Sequence, residues 1–571
     1  MISQEIRKIA PEMDPLRLGM GWSIPDLSKP QILVESTFGD SHPGSAHLLE
    51  LCNQAAAGIG ETGGRAARYF ATDICDGMAQ GHDGINYSLA SRDTIANLIE
   101  IHANATPFDA GVFLCSCDKA VPAHLMAIGR INIPTVVITG GVMPPGPDGL
   151  TLEQLGAYSA MYRRGEISKE QLVWYQQNAC PSCGACSFMG TACTMQVMAE
   201  ALGLMLPGTA LLPAQSKRLE TAARQAGRVA VELGRKGLKA RDIVTADSFE
   251  NAIMVHAAIS GSTNALLHLP AIAHAFGLPL DAETFDRIHR HTPYLLNIRP
   301  TGKWPAAYLD AVGGVPAVME ELRPLLHLDA MTVTGKTVGE NLDACKQNGY
   351  YAPCADRLRQ LGLAKTDILR PFEQPLGRQG AIAVLKGNLA PQGAVVKHSA
   401  VPAQMRRALL RARPFDCEED AIEAILTHNI QPGDAVIIRY EGPQGSGMPE
   451  LFYTTEAISS DETLGASIAL ITDGRFSGAS KGPVIGHVSP EAAQGGPIAL
   501  VEEGDLIELD IDNRVLRIVG VQGQAVAPEQ MQAVLQQRKQ QWKPRPPKYT
   551  QGVLRLFAQH AASPMDGGDM R

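Results

Sequence analysis

The sequence lacks any long hydrophobic run. No stretch of about 18 consecutive apolar residues, the length that a membrane-spanning helix requires, occurs among its 571 positions. The first residues, Met1-Ile-Ser-Gln-Glu-Ile-Arg-Lys8, also lack the apolar core of a secretory signal peptide. We therefore expect no membrane segment and a cytoplasmic location.

An excess of basic charge is also missing. The chain has 50 Lys and Arg against 59 Asp and Glu, a formal net charge of -9. Proteins that bind nucleic acids need a basic surface for the phosphates. The expected partners are small molecules rather than nucleic acids.

Aromatic residues are scarce at 5%, whereas Gly and Pro are plentiful at 56 and 38. This composition is typical of an α/β enzyme rather than of an all-β or fibrous protein. A chain of 571 residues also exceeds what one hydrophobic core usually supports, so at least two domains are expected.

The N-terminal part alternates between strand and helix patterns. Strands are predicted at Gln31–Ser36, Ala110–Cys115 and Thr135–Thr139, and helices over 45–58, 123–128, 153–173 and 216–238. Strand–helix–strand order predicts a doubly wound, mostly parallel sheet. Residues that follow position 115 would then lie at the carboxyl end of a strand, where ligands collect in such sheets.

The pattern changes near residue 370. Beyond it, strands are predicted over 381–385, 434–440, 467–472, 506–511 and 515–518, followed by a helix over 528–542. We predict an α/β domain at residues 1–370 and a smaller β-rich, barrel-like domain at residues 371–571.

Cys117-Asp118-Lys119 places a soft and a hard metal ligand on one loop after a predicted strand. Thiolate suits iron or zinc, whereas carboxylate suits Mg²⁺ or Mn²⁺. The triplet suggests that two metal centres share this loop, which indicates an enzyme rather than a scaffold.

Cys180, Cys183 and Cys186 have C-x2-C-x2-C spacing. The spacing is similar to the iron–sulfur run of small ferredoxins, but the fourth cysteine followed by Pro is missing. Zinc is the alternative metal for such a run. Spacing alone leaves both metals open.

Ordered motifs span almost the whole chain. They are Cys75-Asp-Gly-Met-Ala-Gln-Gly-His82, Ser88-Leu-Ala-Ser-Arg92, Cys117-Asp-Lys119, Ala179-Cys-Pro-Ser-Cys-Gly-Ala-Cys186, Gly261-Ser-Thr-Asn264, Gly387-Asn-Leu-Ala-Pro391, Gly447-Met-Pro-Glu450, Thr472-Asp-Gly-Arg-Phe-Ser-Gly478 and His487-Val-Ser-Pro-Glu491. In these motifs the chain resembles the dihydroxyacid dehydratases and their sugar-acid relatives, which include the 6-phosphogluconate and pentonate dehydratases. The resemblance implies a hydro-lyase that converts a 2,3-dihydroxy acid into a 2-keto-3-deoxy acid.

The resemblance implies that Cys117 and Cys186 bind an iron–sulfur cluster. Many family members have a third ligand in a Thr-Pro-Cys-Asn segment, but the matching stretch here is His42-Pro-Gly-Ser45, with Gly44 at the thiol position. We take Cys75 as the substitute ligand. Three cysteines suit a [2Fe-2S] cluster, which is favoured, or a [4Fe-4S] cluster, and either leaves one iron open.

The resemblance also implies a Mg²⁺ site. Asp76, Asp118 and Glu450 match the family's Mg²⁺ ligands, and Lys119 matches a lysine that can be carbamylated. A free amine is a poor Mg²⁺ ligand, whereas a carbamate offers carboxylate-like oxygens.

Ser477 matches the proposed base of the family. A serine hydroxyl is a very weak acid, but a nearby cation can stabilise its alkoxide. Asn264 and Asn388 are candidates for binding substrate hydroxyls, or else ordinary turn residues.

The expected substrate is a sugar acid, because the Gly44 and Cys75 pattern resembles the sugar-acid branches. The alternatives are a branched-chain dihydroxy acid, dihydroxyisovalerate, and a non-catalytic iron–sulfur or zinc sensor. The family resemblance also implies a homodimer or homotetramer.

Overall fold

The described part of the chain forms two domains. The computed structural model describes residues 1–459, 461–477, 480 and 482–571. Gly478, the last residue of the Ser477 motif, lies outside the described residues. Within these ranges, none of the helices combines the length and the apolar character needed to cross a bilayer.

A four-stranded parallel sheet with helices packed around it organises the N-terminal domain. The strands are β1 (Gln31–Ser36), β2 (Arg65–Phe70), β3 (Ala110–Cys115) and β4 (Thr135–Thr139), in the order β2-β1-β3-β4. All three strand pairs are parallel, which confirms the predicted fold class. The sequence pattern did not identify β2, whose partly exposed residues carry Arg65 and Arg68 and lack a continuous apolar run.

Helices cover both faces of this sheet and extend beyond it. They are α1 (Ile2–Ile9), α2 (Met13–Gly19), α3 (Leu48–Glu61), α4 (Asp76–Ala79), α5 (Tyr87–Ala105), α6 (Ala120–Ile131), α7 (Leu155–Arg163), α8 (Lys169–Asn178), α9 (Thr191–Ala201), α10 (Lys217–Lys236), α11 (Ala240–Ile243), α12 (Ala246–Ile259), α13 (Ala265–Phe276), α14 (Ala282–His291), α15 (Gly314–Glu321), α16 (Val338–Gln347), α17 (Ala352–Leu361) and α18 (Lys365–Ile368).

Two predicted helices differ from the observed ones for local reasons. The helix expected from residue 45 begins at Leu48, because the Ser45 hydroxyl donates to Asp73 instead of capping the helix. The helix expected over 153–173 is divided into α7 and α8. Gly165 lies between them with φ +76°, and the Ser168 side chain caps the new helix by accepting from the Gln171 amide.

A nine-stranded mixed sheet forms the C-terminal domain. Its strands are β5 (Ile382–Leu385), β6 (Gly393–Lys397), β7 (Arg407–Phe415), β8 (Asp434–Ile438), β9 (Ala469–Thr472), β10 (Val484–Ser489), β11 (Leu506–Asp510), β12 (Val515–Val521) and β13 (Gln524–Ala525). The order is β13-β12-β11-β7-β8-β9-β10-β6-β5. Lys386, just after β5, pairs with Val515 in β12, so the sheet curls into a half-barrel. This confirms the β-rich, barrel-like prediction.

Helices connect and flank these strands. They are α19 (Glu418–Leu426), α20 (Pro443–Ser446), α21 (Phe452–Ser459), α22 (Glu462–Gly465), α23 (Pro528–Gln541) and α24 (Gly552–His560). The last of them brings the C-terminal segment back to the N-terminal domain. There Arg92 of α5 donates to the Gly567 carbonyl at 3.0 Å, and the Met570 amide donates to Asp93 at 2.8 Å.

The hydrophobic core continues from one domain into the other. The N-terminal cluster includes fully buried Phe113 and Ile32 and extends to Val384 and Val395 of the half-barrel. Each fully buried side chain of this size stabilises the fold by about 1.5–3 kcal/mol. The shared core holds the two domains together at the face where the candidate site lies.

Candidate active site

A large cavity lies where the two domains meet. Its volume is about 1040 Å³, and residues of both domains line it. Seven of the eight predicted site residues lie on its wall: Cys75, Asp76, Cys117, Asp118, Cys186, Glu450 and Ser477. The eighth, Lys119, is buried and contacts Asp76.

Two loops of the N-terminal domain each contribute one thiol and one carboxylate. Cys75 is the residue before α4 and Asp76 is its first residue. Cys117 and Asp118 follow β3, and Lys119 precedes α6. Because β3 is a central strand of a parallel sheet, its carboxyl end faces the cavity, as the sequence pattern predicted.

Three carboxylates converge in this cavity. Oxygen atoms of Asp76, Asp118 and Glu450 lie within 4.8 Å of one another, although Glu450 belongs to the other domain. The Asp76 Oδ1 atom is buried and has no hydrogen-bond partner among the described residues. Converging oxygen ligands with an unsatisfied carboxylate atom suit a hard divalent cation such as Mg²⁺.

The pKa values of two of these groups reflect their crowding. Burial, together with the nearby Asp76 and Glu450 carboxylates, raises the pKa of Asp118 to about 8 against the opposing charge of Lys119. Burial also raises the pKa of Asp76, but Lys119 and Arg475 outweigh it, so that the pKa lies below its usual value. Three carboxyl groups therefore share the site with two cations, Lys119 and Arg475.

Lys119 is the nearest of those cations. Its Nζ donates to Asp76 Oδ2 at 2.7 Å, and the residue is 1% exposed. An ammonium in this position neutralises one carboxylate and repels a second cation. The contact places the Lys119 nitrogen beside the carboxylate centre, and the chemical form of this nitrogen decides whether it opposes or assists metal binding.

Arg475 and Asn264 hold the carboxylates across the domain boundary. The fully buried Arg475 donates to Glu450, and its Nη2 donates to Ser88 Oγ at 2.8 Å and lies 3.5 Å from Asp76 Oδ2. Asn264 Nδ2 donates to Glu450 Oε1 at 2.7 Å. The sequence analysis did not identify Arg475, although the motif around Ser477 contains it.

Asn264 and Asn388 have different surroundings. The Asn264 amide holds Glu450, so this residue orients a site carboxylate. Asn388 lies away from the site, where its Nδ2 donates to the Ile518 carbonyl at 2.9 Å and its oxygen accepts from the Ile518 amide at 2.7 Å. Asn388 therefore links parts of the half-barrel.

The thiols form a second centre beside the carboxylates. The sulfurs of Cys75 and Cys117 and a ring nitrogen of His42 lie within 4.8 Å of one another. A hydrogen bond from Cys117 lowers the pKa of Cys75 to about 6. The same contact, together with burial, raises the pKa of Cys117. One thiol of the pair therefore ionises readily, as metal binding requires.

Cys186 lies on the same cavity wall but outside that 4.8 Å group. The Gly184 amide donates to the Pro43 carbonyl at 2.8 Å, so the Cys186 loop is joined to the segment that contains Gly44. A Cβ atom on Gly44 would lie 3.2 Å from Cys117 Sγ. Position 44 therefore faces the thiols. The three thiols of Cys75, Cys117 and Cys186 suit a cluster, because a cluster has several irons and its ligands need not converge on one point.

The C-x2-C-x2-C run does not form a compact metal site by itself. Cys180 is exposed and Cys183 is half-buried. The compact groups of possible metal ligands found among the described residues do not include these two cysteines. Cys180 and Cys183 therefore lie apart from the compact group of His42, Cys75 and Cys117.

His42 is a second residue at this site that the sequence analysis missed. Its Nε2 lies 2.9 Å from Asp73 Oδ1, and its side chain is 3% exposed. Burial lowers the pKa of His42, but the hydrogen bond and charge of Asp73 outweigh it and raise the pKa above the usual value. No sequence signal marked His42, because its contact with Cys75 and Cys117 arises only from the fold.

Ser477 lies where the main cavity meets a smaller one. It lines the large cavity together with Glu450 and Asp118. It also lines the small cavity with Lys397 and His487. Burial lowers the pKa of Lys397 to about 7. The predicted base thus lies on the same wall as the carboxylate centre.

Family models match both parts of the chain. The dihydroxy-acid/6-phosphogluconate dehydratase N-terminal model covers residues 29–341, and the corresponding C-terminal model covers residues 367–568.

Curated relatives match over nearly the full length. The chain is 44% identical over 575 residues to a dihydroxy-acid dehydratase of Methanosarcina barkeri, which covers 99% of both chains. It is 43% identical to a dihydroxy-acid dehydratase of Agathobacter rectalis, covering 94% of this chain and 93% of the relative. A dihydroxy-acid dehydratase of Moorella thermoacetica is 43% identical over 95% of both chains.

The sugar-acid prediction is wrong in the light of these relatives. Dihydroxy-acid dehydratases similar over nearly the whole chain favour the branched-chain alternative. The physical reason is that the Gly44 and Cys75 pattern, on which the prediction depended, concerns the thiol centre. How sulfur ligands are arranged around a metal says little about which substrate side chain fits in the cavity.

Proposed function

The chain belongs to the dihydroxy-acid/6-phosphogluconate dehydratase family, and we propose that it removes water from a branched-chain 2,3-dihydroxy acid to give a 2-keto acid. Dihydroxyisovalerate is the proposed substrate. The enzyme is a hydro-lyase, so the reaction involves no net oxidation or reduction. A non-catalytic metal sensor does not fit membership of this family.

One observation carries the proposal: a thiol centre and a carboxylate centre share a single cavity with Ser477. Dehydration of a 2,3-dihydroxy acid needs a group that takes the C2 proton and a Lewis acid at the C3 hydroxyl. A sensor needs neither the three converging carboxylates nor the serine. The whole arrangement therefore supports a dehydratase.

The cavity walls support a substrate with an alkyl side chain. Apolar side chains on its wall include Leu155, Phe188, Ile422 and Phe452. An apolar surface accommodates a branched alkyl group, whereas a polyhydroxylated chain would lose hydrogen bonds to water there.

The residues present suit both groups that the family implies. We propose that Cys75, Cys117 and Cys186 hold the iron–sulfur cluster and that Asp76, Asp118 and Glu450 hold Mg²⁺. When bound, the cluster supplies a Lewis acid for the C3 hydroxyl, and Mg²⁺ polarises the carboxylate and C2 hydroxyl of the substrate. Arg475 and Asn264 orient Glu450 through their hydrogen bonds.

Ser477 is the proposed base. Its Oγ takes the proton from C2, and that proton and the C3 hydroxide leave as the elements of water. The resulting enol loses the proton of its C2 hydroxyl and gains one at C3, which gives the 2-keto acid. The fully buried Arg475, two residues before Ser477, contributes positive charge near the cavity wall.

We also propose that Lys119 is carbamylated in the active enzyme. As an ammonium it lies 2.7 Å from Asp76, where it would compete with Mg²⁺ for that carboxylate. A carbamate removes this charge and adds an oxygen ligand. Incubation with ¹³C-bicarbonate should give a carbamate carbon signal by NMR, and the signal should be absent from Lys119→Arg.

The cluster type, the oligomeric state, the domain boundary and the cellular location can each be measured directly. Two irons per chain would support the favoured [2Fe-2S] cluster, and four would indicate [4Fe-4S]. Mass photometry would distinguish the proposed homodimer or homotetramer from a monomer. Limited proteolysis would test the boundary between residues 370 and 371, and fractionation of the cells would test the cytoplasmic location.

Substitution of Ser477 is the decisive test of the mechanism. Ser477→Ala should keep the visible absorption of the cluster while turnover falls by at least roughly 10²-fold, the lower range for loss of a general base. Ser446→Ala, at a buried serine outside the proposed machinery, is the control for a comparable loss of a hydroxyl. Substantial residual activity in Ser477→Ala would contradict the assignment of Ser477 as the base.

The substrate proposal needs a competition among acids. Anaerobically purified protein should form 2-keto acid from dihydroxyisovalerate far faster than from gluconate, xylonate, arabinonate or 6-phosphogluconate. Equal or faster turnover of a sugar acid would contradict the branched-chain assignment.

A further inference from the structure

His42 is held in one orientation by a buried carboxylate. Its Nε2 lies 2.9 Å from Asp73 Oδ1, and the Ser45 hydroxyl donates to the same carboxylate oxygen. The Asp73 side chain is fully buried, two residues before Cys75. This contact therefore links the segment that contains Gly44 to the loop that contains Cys75.

The other ring nitrogen of His42 is the one without a partner in the described part of the chain. His42 Nδ1 is buried and has no hydrogen-bond partner among the described residues. A ring nitrogen of His42 lies within 4.8 Å of the sulfurs of both Cys75 and Cys117. Since Nε2 contacts Asp73, Nδ1 is the nitrogen that remains for a partner at this centre.

Gly44 leaves this space open. A Cβ atom at position 44 would lie 3.1 Å from His42 Nδ1 and 3.2 Å from Cys117 Sγ. Both contacts are closer than ordinary van der Waals distances, so a larger residue would displace the ring or the thiol. The position of the His42 ring beside Cys117 therefore requires a glycine at position 44.

We propose that His42 is a positioning residue that donates a hydrogen bond from Nδ1 to a sulfur of the iron–sulfur cluster, with Asp73 holding its ring. The inference rests on the proposed function only in that Cys75, Cys117 and Cys186 bind the cluster. The hydrogen bond places an N–H donor beside thiolates that lie near the buried Asp73 carboxylate. Hydrogen bonds to sulfur tune the potential and persistence of such clusters.

Donation fits this centre better than ligation. Three thiolates leave one iron open for the substrate, whereas a fourth protein ligand would close it. A catalytic metal centre keeps such a position open. Asp73 fixes the ring in either case, so only the role of Nδ1 separates the two possibilities.

The test compares two substitutions in the reconstituted full-length protein. In His42→Gln the side-chain amide can reach Asp73, but no donor remains at the position of Nδ1. In His42→Asn the amide lies near the position of Nδ1, but the contact with Asp73 is lost. We expect His42→Gln to lower the midpoint potential of the cluster and to bleach in air roughly 10-fold faster than wild type. The midpoint potential and the bleaching rate of His42→Asn should lie between those of His42→Gln and wild type.

His274→Gln is the matched control. His274 also contacts a carboxylate, with Nδ1 3.0 Å from Asp569 Oδ2, but it is exposed and outside the candidate site. This variant should keep the wild-type potential and bleaching rate. If His42→Gln gives insoluble protein, His42→Asn and Asp73→Asn provide the same measurements.

The outcomes separate the inference from the function. Potentials and bleaching rates in both His42 variants equal to those of His274→Gln would overturn the inference and leave the dehydratase proposal intact. Strong nitrogen hyperfine coupling in the reduced wild-type cluster, lost in His42→Gln, would show ligation and also overturn it. Wild-type protein that takes up no cluster would overturn both.

Discussion

The thiol centre and the carboxylate centre are neighbours, but they are built differently. Cys75, Cys117 and Cys186 all come from the N-terminal domain. The carboxylate centre takes Asp76 and Asp118 from that domain and Glu450 from the half-barrel. Arg475, also from the half-barrel, contacts both Glu450 and Asp76.

This difference means that only the carboxylate centre depends on docking of the two domains. The thiol centre includes no residue of the half-barrel. Three converging oxygens require the half-barrel to be in place, with Asn264 and Arg475 holding Glu450. We therefore expect the two centres to respond separately to substitutions, and three changes test this expectation.

The largest effect is expected from Cys75→Ser. Hydroxyl is a poor ligand for iron compared with thiolate, so the variant should lose the cluster's visible absorption and all measurable turnover. Iron analysis and the absorption spectrum after anaerobic reconstitution provide the measurement. Cys183→Ser is the control and should keep both. A coloured Cys75→Ser protein would place the third ligand elsewhere.

An intermediate effect is expected from Glu450→Gln. The neutral amide weakens Mg²⁺ binding, and we expect kcat to fall by roughly 10²–10³-fold, as for loss of one electrostatic contact in an active site. The cluster spectrum should not change. Glu419→Gln, at an exposed glutamate on the same cavity wall, is the control. Loss of the cluster in Glu450→Gln would contradict the independence of the two centres.

The smallest effect is expected from Tyr549→Phe. The Tyr549 hydroxyl accepts a 2.6 Å hydrogen bond from Asn86, which joins the C-terminal segment to the N-terminal domain. Removing it should lower the free energy of unfolding by about 1–2 kcal/mol. Denaturant titration measures this, with the exposed Tyr162→Phe as control. If docking matters only for the carboxylates, excess Mg²⁺ should reverse any loss of activity in Tyr549→Phe. A shift of the cluster spectrum in this variant would contradict that view.

Much of the fold could be predicted because its strands are short apolar runs in regular alternation with helices. β1, β3 and β4 were predicted with the observed bounds. β2 escaped because it is partly exposed and contains two arginines. The division of one predicted helix at Gly165 depended on a single backbone conformation, which helical periodicity does not reveal.

The candidate site was predictable where the ligands are adjacent in sequence. Cys117 and Asp118 are consecutive, so one loop had to present both. Glu450 was found only through the family resemblance, because 332 positions separate it from Asp118. His42 was not found, because a histidine three residues before a serine carries no recognisable signal.

The amino-acid sequence by itself determined the fold class, the family and the pairing of soft and hard ligands on two loops, because these depend on residue type and short spacing. It did not determine the substrate, and its sugar-acid prediction failed. The tertiary structure placed Glu450 within 4.8 Å of Asp76 and Asp118, as the family resemblance had implied. Only the tertiary structure decided that Arg475 contacts two of these carboxylates and that His42 lies beside Cys75 and Cys117. Each of those contacts joins distant segments, and packing of the whole chain, rather than local preference, brings distant segments together.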